Sequence, residues 1–328
     1  MRSKKIVILI VLISLSGLRL SIAQQLKQCL AVITELTGNV LLKKVNKGEF
    51  EKAFWGTELI EGDQIKTSAR SGVKLLFSNS TFISLGPNST ISISGKKHPA
   101  TESSGKVMKM SSAMMVNISS FNSKRDNTKD VGALAFLRSG NSEQTIELTS
   151  PCNSLIKTDR PSFSWLAKKS FGTYVVNLFN SNGPVWSKKV SDSTMVYPDN
   201  EKGLAFGESY FWQVEGMGPN DSEKSSIHKF SLLSLEMSRN VEEQEKMIRD
   251  TFRDEPESSS LHSVLGAYYI EQGLLLDAIN EFKIISKINA DAPLPHEILG
   301  SLYTDVGNKD KAIEELKKAL ELATNNNK

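Results

Sequence analysis

The chain has 328 residues, 39% of them hydrophobic and 23% charged. That composition excludes a disordered or fibrous chain, and the length predicts two or three domains at about 100 to 150 residues each. Lys+Arg 40 against Asp+Glu 37 gives +3, but Arg2, Lys4, Lys5 and Arg19 all fall within residues 1–23, leaving 36 basic against 37 acidic groups beyond them. A nucleic-acid role driven by basic charge is thereby disfavoured, and four His with two Cys are too few for a multi-ligand zinc site.

Residues 1–23 read as a cleaved secretory signal peptide. Arg2, Lys4 and Lys5 precede an almost unbroken apolar run of 13 residues, 6–18, and Ser21-Ile22-Ala23 places small residues before Gln24. A membrane anchor would need about 20 apolar residues, and Arg19 interrupts this run. The expected cut follows Ala23, giving a mature chain outside the cytoplasm, in a periplasm or secreted, with no stable membrane span. In that compartment Cys29 and Cys152 either bridge or remain two partly buried thiols.

Residues 24–130 read as a β-rich unit followed by a short helix and a linker. Val32-Ile33, Val40-Leu41-Leu42, Leu59-Ile60, 73–77, 82–85 and 90–93 are short apolar or alternating runs. Turn residues separate them at Gly38-Asn39, Gly62-Asp63, Ser71-Gly72, Ser78-Asn79-Ser80 and Gly86-Pro87-Asn88. Val107, Met110, Met114 and Ile118 recur at helical steps, and 122–130 is polar. Residues 146–233 read as a second β unit, a small sandwich with Trp165 and Trp212 in its core.

From Leu235 the period changes to helical, with Met237, Val241, Ile248 and Phe252 on one face. After Pro256 an internal repeat begins. Residues 261–286 align with 295–320 at a shift of 34, with nine identities and no gap: His262/His296, Leu265/Leu299, Gly266/Gly300, Tyr269/Tyr303, Gly273/Gly307, Ala278/Ala312, Ile279/Ile313, Glu281/Glu315 and Lys283/Lys317. Small residues at Gly266 and Ala278 let two helices approach, and Gly273 and Gly307 suit the turns between them. Ile284, Ile285 and Ile288 predict a helix covered on two sides. Ala312, Ile313, Leu316, Ala319 and Leu320 predict a single-stripe terminal helix with a solvent face.

This 34-residue pattern resembles the tetratricopeptide repeat, with full repeats at about 261–294 and 295–328 in a helical domain over 236–328. The resemblance implies a concave groove lined by the first helix of each hairpin. Tyr268, Glu271, Glu297 and Asp305 are the candidate partner-binding residues on it, whereas Ala267 and Leu302 are expected to be buried. Residues 31–94 resemble the FecR domain through Thr37-Gly38-Asn39-Val40, Glu61-Gly62-Asp63-Gln64-Ile65-Lys66-Thr67, the strand 73–77 and Gly86-Pro87-Asn88-Ser89. Asn79 stands in the turn where that family often has Gly, a change its tolerance of left-handed backbone accommodates. That resemblance implies a periplasmic β domain of interaction type. The 146–233 unit resembles immunoglobulin-like or fibronectin type III sandwiches in strand pattern only.

The expected fold class is therefore multidomain α+β. The expected function is that of a non-catalytic exported interaction or scaffold protein binding a protein or peptide, with an envelope signalling component as the alternative. Asp63 is expected to bond backbone N–H groups in a turn rather than act as an acid. His262 and His296 are expected to pack or cap rather than ligate a metal, and His98 and His228 stand alone. No phosphate-binding Gly loop, dinucleotide fingerprint or paired-His zinc motif occurs, so no catalytic residue, cofactor or metal is expected. The charged surround of the last helix predicts a monomer.

Overall fold

The computed structural model describes residues 29–95, the backbone of 106–109, and 145–326. Over these it is mixed α+β: a β-rich N-terminal region, a second β-rich region, and five C-terminal helices. The signal-like segment, most of the expected helix after Val107, the linker and His98 lie outside the described residues.

The N-terminal region holds two sheets. One runs β4 (Glu58–Leu59), β1 (Ala31–Thr37), β6 (Gly72–Phe77), β7 (Thr81–Leu85), β9 (Lys106–Lys109). The other runs β3 (Glu51–Lys52), β2 (Val40–Lys43), β5 (Gln64–Thr67), β8 (Thr90–Ser92). Ile33, Leu75 and Ile83 share a core with Leu42, Ile65 and Ile91. Their neighbours Val32, Leu76 and Phe82 are also buried, so the first sheet is covered on both faces, and unalternating apolar runs are the sequence form of that burial. Val107 corrects an expectation: it lies in β9, paired with Ile83, not at the start of a helix. The open edge of β7 offers this short segment a full set of main-chain partners.

The turn at 78–80 also differs in detail. Ser80, not Asn79, takes the positive φ of 60°, while Asn79 Oδ1 accepts the Thr81 N–H at 3.2 Å. Asp63 is fully buried and accepts from the N–H groups of Ile60 (3.0 Å) and Val45 (2.9 Å) and from Lys44 Nζ (3.0 Å). It therefore ties the β4–β5 turn to the chain after β2.

In the middle region, β10 (Ile146–Ser150), β12 (Ser162–Ala167) and β15 (Thr194–Val196) form one sheet. The second runs β11 (Leu155–Ile156), β18 (His228–Leu232), β16 (Ser209–Met217), β13 (Thr173–Asn180), β14 (Gly183–Val190), with β17 (Ser222–Lys224) on β16. Phe163 and Trp165 from the first sheet and Val176, Leu178, Trp212 and Phe230 from the second make one core, with Phe163 and Trp212 rings 4.9 Å apart. Trp212 Nε1 donates to Pro151 O at 2.7 Å, whereas Trp165 Nε1 is buried without a partner. The edge strand β14 carries Pro184 and the exposed Lys188, which blunt its pairing capacity.

The helices are α1 (Leu235–Thr251), α2 (Ser259–Glu271), α3 (Leu275–Ile288), α4 (Pro293–Val306) and α5 (Lys309–Asn326). Ser234 and Ser258 cap α1 and α2, accepting from Met237 N and Leu261 N at 3.2 Å each. Pro293 opens α4, and Gly307 closes it in the left-handed region at φ 87°. The repeat geometry is visible at the glycines. A β-carbon on Gly266 would lie 2.9 Å from Phe282 Cε2, and one on Gly300 would lie 2.6 Å from Leu316 Cγ.

Three helix-face expectations need correction. Met237 is 42% exposed, whereas the next residue, Ser238, is buried, so the covered face of α1 runs through Ser238, Val241 and Ile248. On α3, Ile285 is buried and Ile284 half-buried but Ile288 is 48% exposed, so its last turn is covered on one side only. On α5 only Ala312 and Ala319 are buried, and Leu320 is 69% exposed, so the stripe is narrower than its spacing suggests.

Candidate interaction surfaces

The first helix of the first hairpin, α2, is buried along nearly its whole length, Ser259 to Tyr269, with Tyr268 alone half-buried. The N-terminal region covers it. Thr34 Oγ1 and Ser260 Oγ lie 2.9 Å apart, Ser260 Oγ donates to Glu35 Oε2 at 3.1 Å, and Trp55 Nε1 donates to Ser263 Oγ at 3.1 Å. The Trp55 ring meets Phe282 edge-on at 6.3 Å, and Phe82 meets Phe252 at 5.4 Å. Lys74 bridges Glu35 and Glu255, and Lys52 pairs with Asp291 at 2.5 Å around the rim. Val32, Trp55, Leu76 and Phe82 belong to the same core as the helices. A face expected to lie open is thus filled by the chain itself.

The middle region grips the hairpins at their turns. Leu274, at the start of α3, offers no side-chain cap, and Ser154 supplies one from the β10–β11 loop: its Oγ accepts from Leu275 N at 3.0 Å. Leu155 N donates to Gly273 O at 3.1 Å, and Asn153 Nδ2 donates to Val306 O at 3.3 Å. Sequence pattern gave no sign of this cap, because donor and acceptor lie more than a hundred positions apart.

Beside this loop, Lys157 Nζ is held by Glu245 Oε1 at 2.6 Å and Asp277 Oδ1 at 3.0 Å, with its ammonium 4.8 Å from the Tyr269 ring centre. Burial lowers the Lys157 pKa, but the bonds to Glu245 and Asp277 raise it more, so it stands above its ordinary value. Burial pushes the Asp277 carboxyl up, against the opposing pull of Lys157. A cleft of about 220 Å³ opens here, lined by Pro151, Ile156, Lys157, Pro161, Leu276 and Asp277 among others.

Of the four candidate residues, Glu271 and Asp305 are repeat-equivalent, exposed, and in the last turns of α2 and α4. Glu297 is half-buried near the start of α4. Tyr268 is half-buried with its hydroxyl enclosed and without a hydrogen-bond partner; burial, then the Glu245 charge, pushes that phenol up to about 12. Ala267 and Leu302 are fully buried.

His262 and His296 have a role that residue-by-residue reading missed. His262 Nδ1 lies 2.5 Å from Glu281 Oε2, and His296 Nδ1 lies 2.6 Å from Glu315 Oε2. Each pair joins the two helices of one hairpin, and the shared 19-residue separation in both repeats was the available signal. Burial lowers the His228 pKa. Both cysteines are unbridged. Burial, then the Glu58 charge, raises the Cys29 thiol to about 11; burial, then the Glu147 charge, raises Cys152 to about 12. Among the described residues no cluster of three metal-ligating side chains occurs, and no helix is long and apolar enough to cross a membrane.

No family profile and no curated protein matches the chain. Similar solved structures include a cell surface anchoring domain, 23% identical, covering 20% of this chain and 84% of that one at a TM-score of 0.19. A β-1,2-glucanase from Parabacteroides distasonis is 12% identical over 55% of this chain and 33% of that one, at a TM-score of 0.22. A multi-domain immunophilin from Arabidopsis thaliana is 10% identical over 55% of this chain and 98% of that one, at a TM-score of 0.20. At such scores these likenesses carry no argument.

Proposed function

We propose that this chain is a non-catalytic, exported interaction protein. In this reading a FecR-like domain and an immunoglobulin-like sandwich flank helical hairpins of the tetratricopeptide type, and the protein works in the periplasm or is secreted. The observation that carries it is the repeat equivalence in space: two hairpins, each crossed by its own His–Glu pair and each closed around a glycine opposite Phe282 or Leu316. Stacked hairpins of this kind present extended surfaces for polypeptides. With the α2 face taken by Trp55 and Thr34, the surface left for a partner includes the exposed hairpin ends at Glu271 and Asp305, with Tyr268 and Glu297 as neighbours on the same two helices.

The test uses the full chain to capture a partner from envelope extract, with binding then rebuilt from the two purified proteins. Reversing both charges, Glu271→Lys and Asp305→Lys, is expected to abolish binding while far-UV circular dichroism is unchanged. Retention of the partner by the doubly reversed chain would move the binding surface to the β regions. Exported protein is expected to begin at Gln24 on N-terminal sequencing.

A further inference from the structure

The cleft beside the β10–β11 loop plays no part in the packing described above. Pro151, Ile156, Pro161 and Leu276 make its apolar walls, and Lys157 and Asp277 bring charge to it. At about 220 Å³ it falls below the about 300–1,000 Å³ of pockets that take whole cofactors or drug-sized molecules. It has room for one long side chain.

The charge count decides which one. Lys157 is shared between Asp277, on the cleft wall, and Glu245, outside the cleft lining, so one cation stands against two carboxylates. The ammonium engages Asp277 through Oδ1. A second cation would complete the balance in a place where water is partly excluded and charge pairing is stronger than in bulk solvent. A guanidinium suits the position better than an ammonium. It is more weakly hydrated, its planar fork matches a carboxylate, and its methylene stem can lie along the prolines and Leu276. We infer that this cleft binds an arginine side chain of an extended partner polypeptide. The inference rests on the interaction reading above and narrows it to one class of ligand.

The experiment is a fluorescence-anisotropy titration of the full chain with labelled Ala-Ala-Arg-Ala-Ala-amide. Its twins carry citrulline, which keeps the shape and removes the charge, or glutamate, in place of arginine. The arginine peptide is expected to bind at least tenfold more tightly than either twin, and added salt is expected to shrink the gap. Equal binding of arginine and citrulline peptides by the unmodified chain, or preference for glutamate, would overturn the inference without needing any variant. Asp277→Asn is expected to remove the arginine preference. Lys157→Gln is expected to strengthen arginine binding severalfold, because it leaves two carboxylates without a resident cation. A purely structural ion pair would show weakened or unchanged binding in both variants, and that result also overturns the inference. If a captured protein partner binds normally while the arginine preference is absent, the cleft assignment fails and the interaction reading stands.

Discussion

Replacing Trp55 by Ala should destabilise helices that lie more than two hundred positions away. The indole is 1% exposed, its ring edge meets Phe282, and its N–H is held by Ser263. Truncating a buried Trp to Ala costs about 3–5 kcal/mol. The lost hydrogen bond contributes about 1 kcal/mol of that and no more, because Ser263 Oγ still donates to Ser259 O at 2.6 Å and is not orphaned. Trp55→Phe keeps one ring and should cost about 1–2 kcal/mol. Ser263→Ala removes the acceptor of the indole N–H instead and should cost about 1–3 kcal/mol. The assay is urea unfolding of the full chain followed by far-UV ellipticity, dominated here by α1 to α5. With a slope of about 3 kcal/mol per molar, Trp55→Ala should lower the helical midpoint by about 1–2 M. A helical transition that stays in place while only the N-terminal region loosens would refute the claim that the two share one core.

Three further outcomes are expected. Trp212→Phe should cost about 1–3 kcal/mol more than Trp165→Phe in thermal melts, since only the first removes a made bond and leaves the buried Pro151 carbonyl unpaired; equal costs would contradict the bonding assignment. Ser154→Ala should cost about 1 kcal/mol in chemical denaturation by uncapping α3, although Ser154 belongs to the middle region. Both thiols should resist a disulfide reagent at pH 8 in the native state and react as two after denaturation. Because folding raises both thiol pKa values above 9, the folded chain holds these protons longer, so their contribution to stability is present below about pH 9 and is lost as pH climbs through about 11 and 12. Rapid native labelling at pH 8 would show the thiols to be exposed.

The sequence was most legible where one short period repeats. Nine identities at a fixed shift placed the hairpin turns at Gly273 and Gly307, and both glycines have positive φ there. Trp165 and Trp212 read as core residues because their neighbours alternate, and both are buried. What escaped was everything arising between regions. Trp55 closes the short apolar run Ala53-Phe54-Trp55, too brief to carry a period, and nothing near it signals that its partner is Ser263. Ala31 to Thr34 is buried on both faces, a pattern that says covered without saying by what. The edge strand β14 was invisible for the opposite reason: none of its residues is fully buried. It is held by main-chain bonds to β13 and needs no apolar period of its own. The Lys157 cleft was equally hidden, because its walls come from strands, a loop and a helix that become neighbours only on folding.

Asn153 and Ser154 are adjacent in the chain, yet one holds the turn of the second hairpin and the other the start of α3 in the first. In a stack of helical hairpins each unit normally touches only its neighbours, so the stack bends and twists like a coil spring and can fray one unit at a time. Here two successive coils are clipped to a single short loop between two strands of the middle region. Stretching or rotating one hairpin against the other must break a bond to that loop. The expected mechanical character is that of a strut rather than a spring, with the helices and the middle sheets yielding together under load.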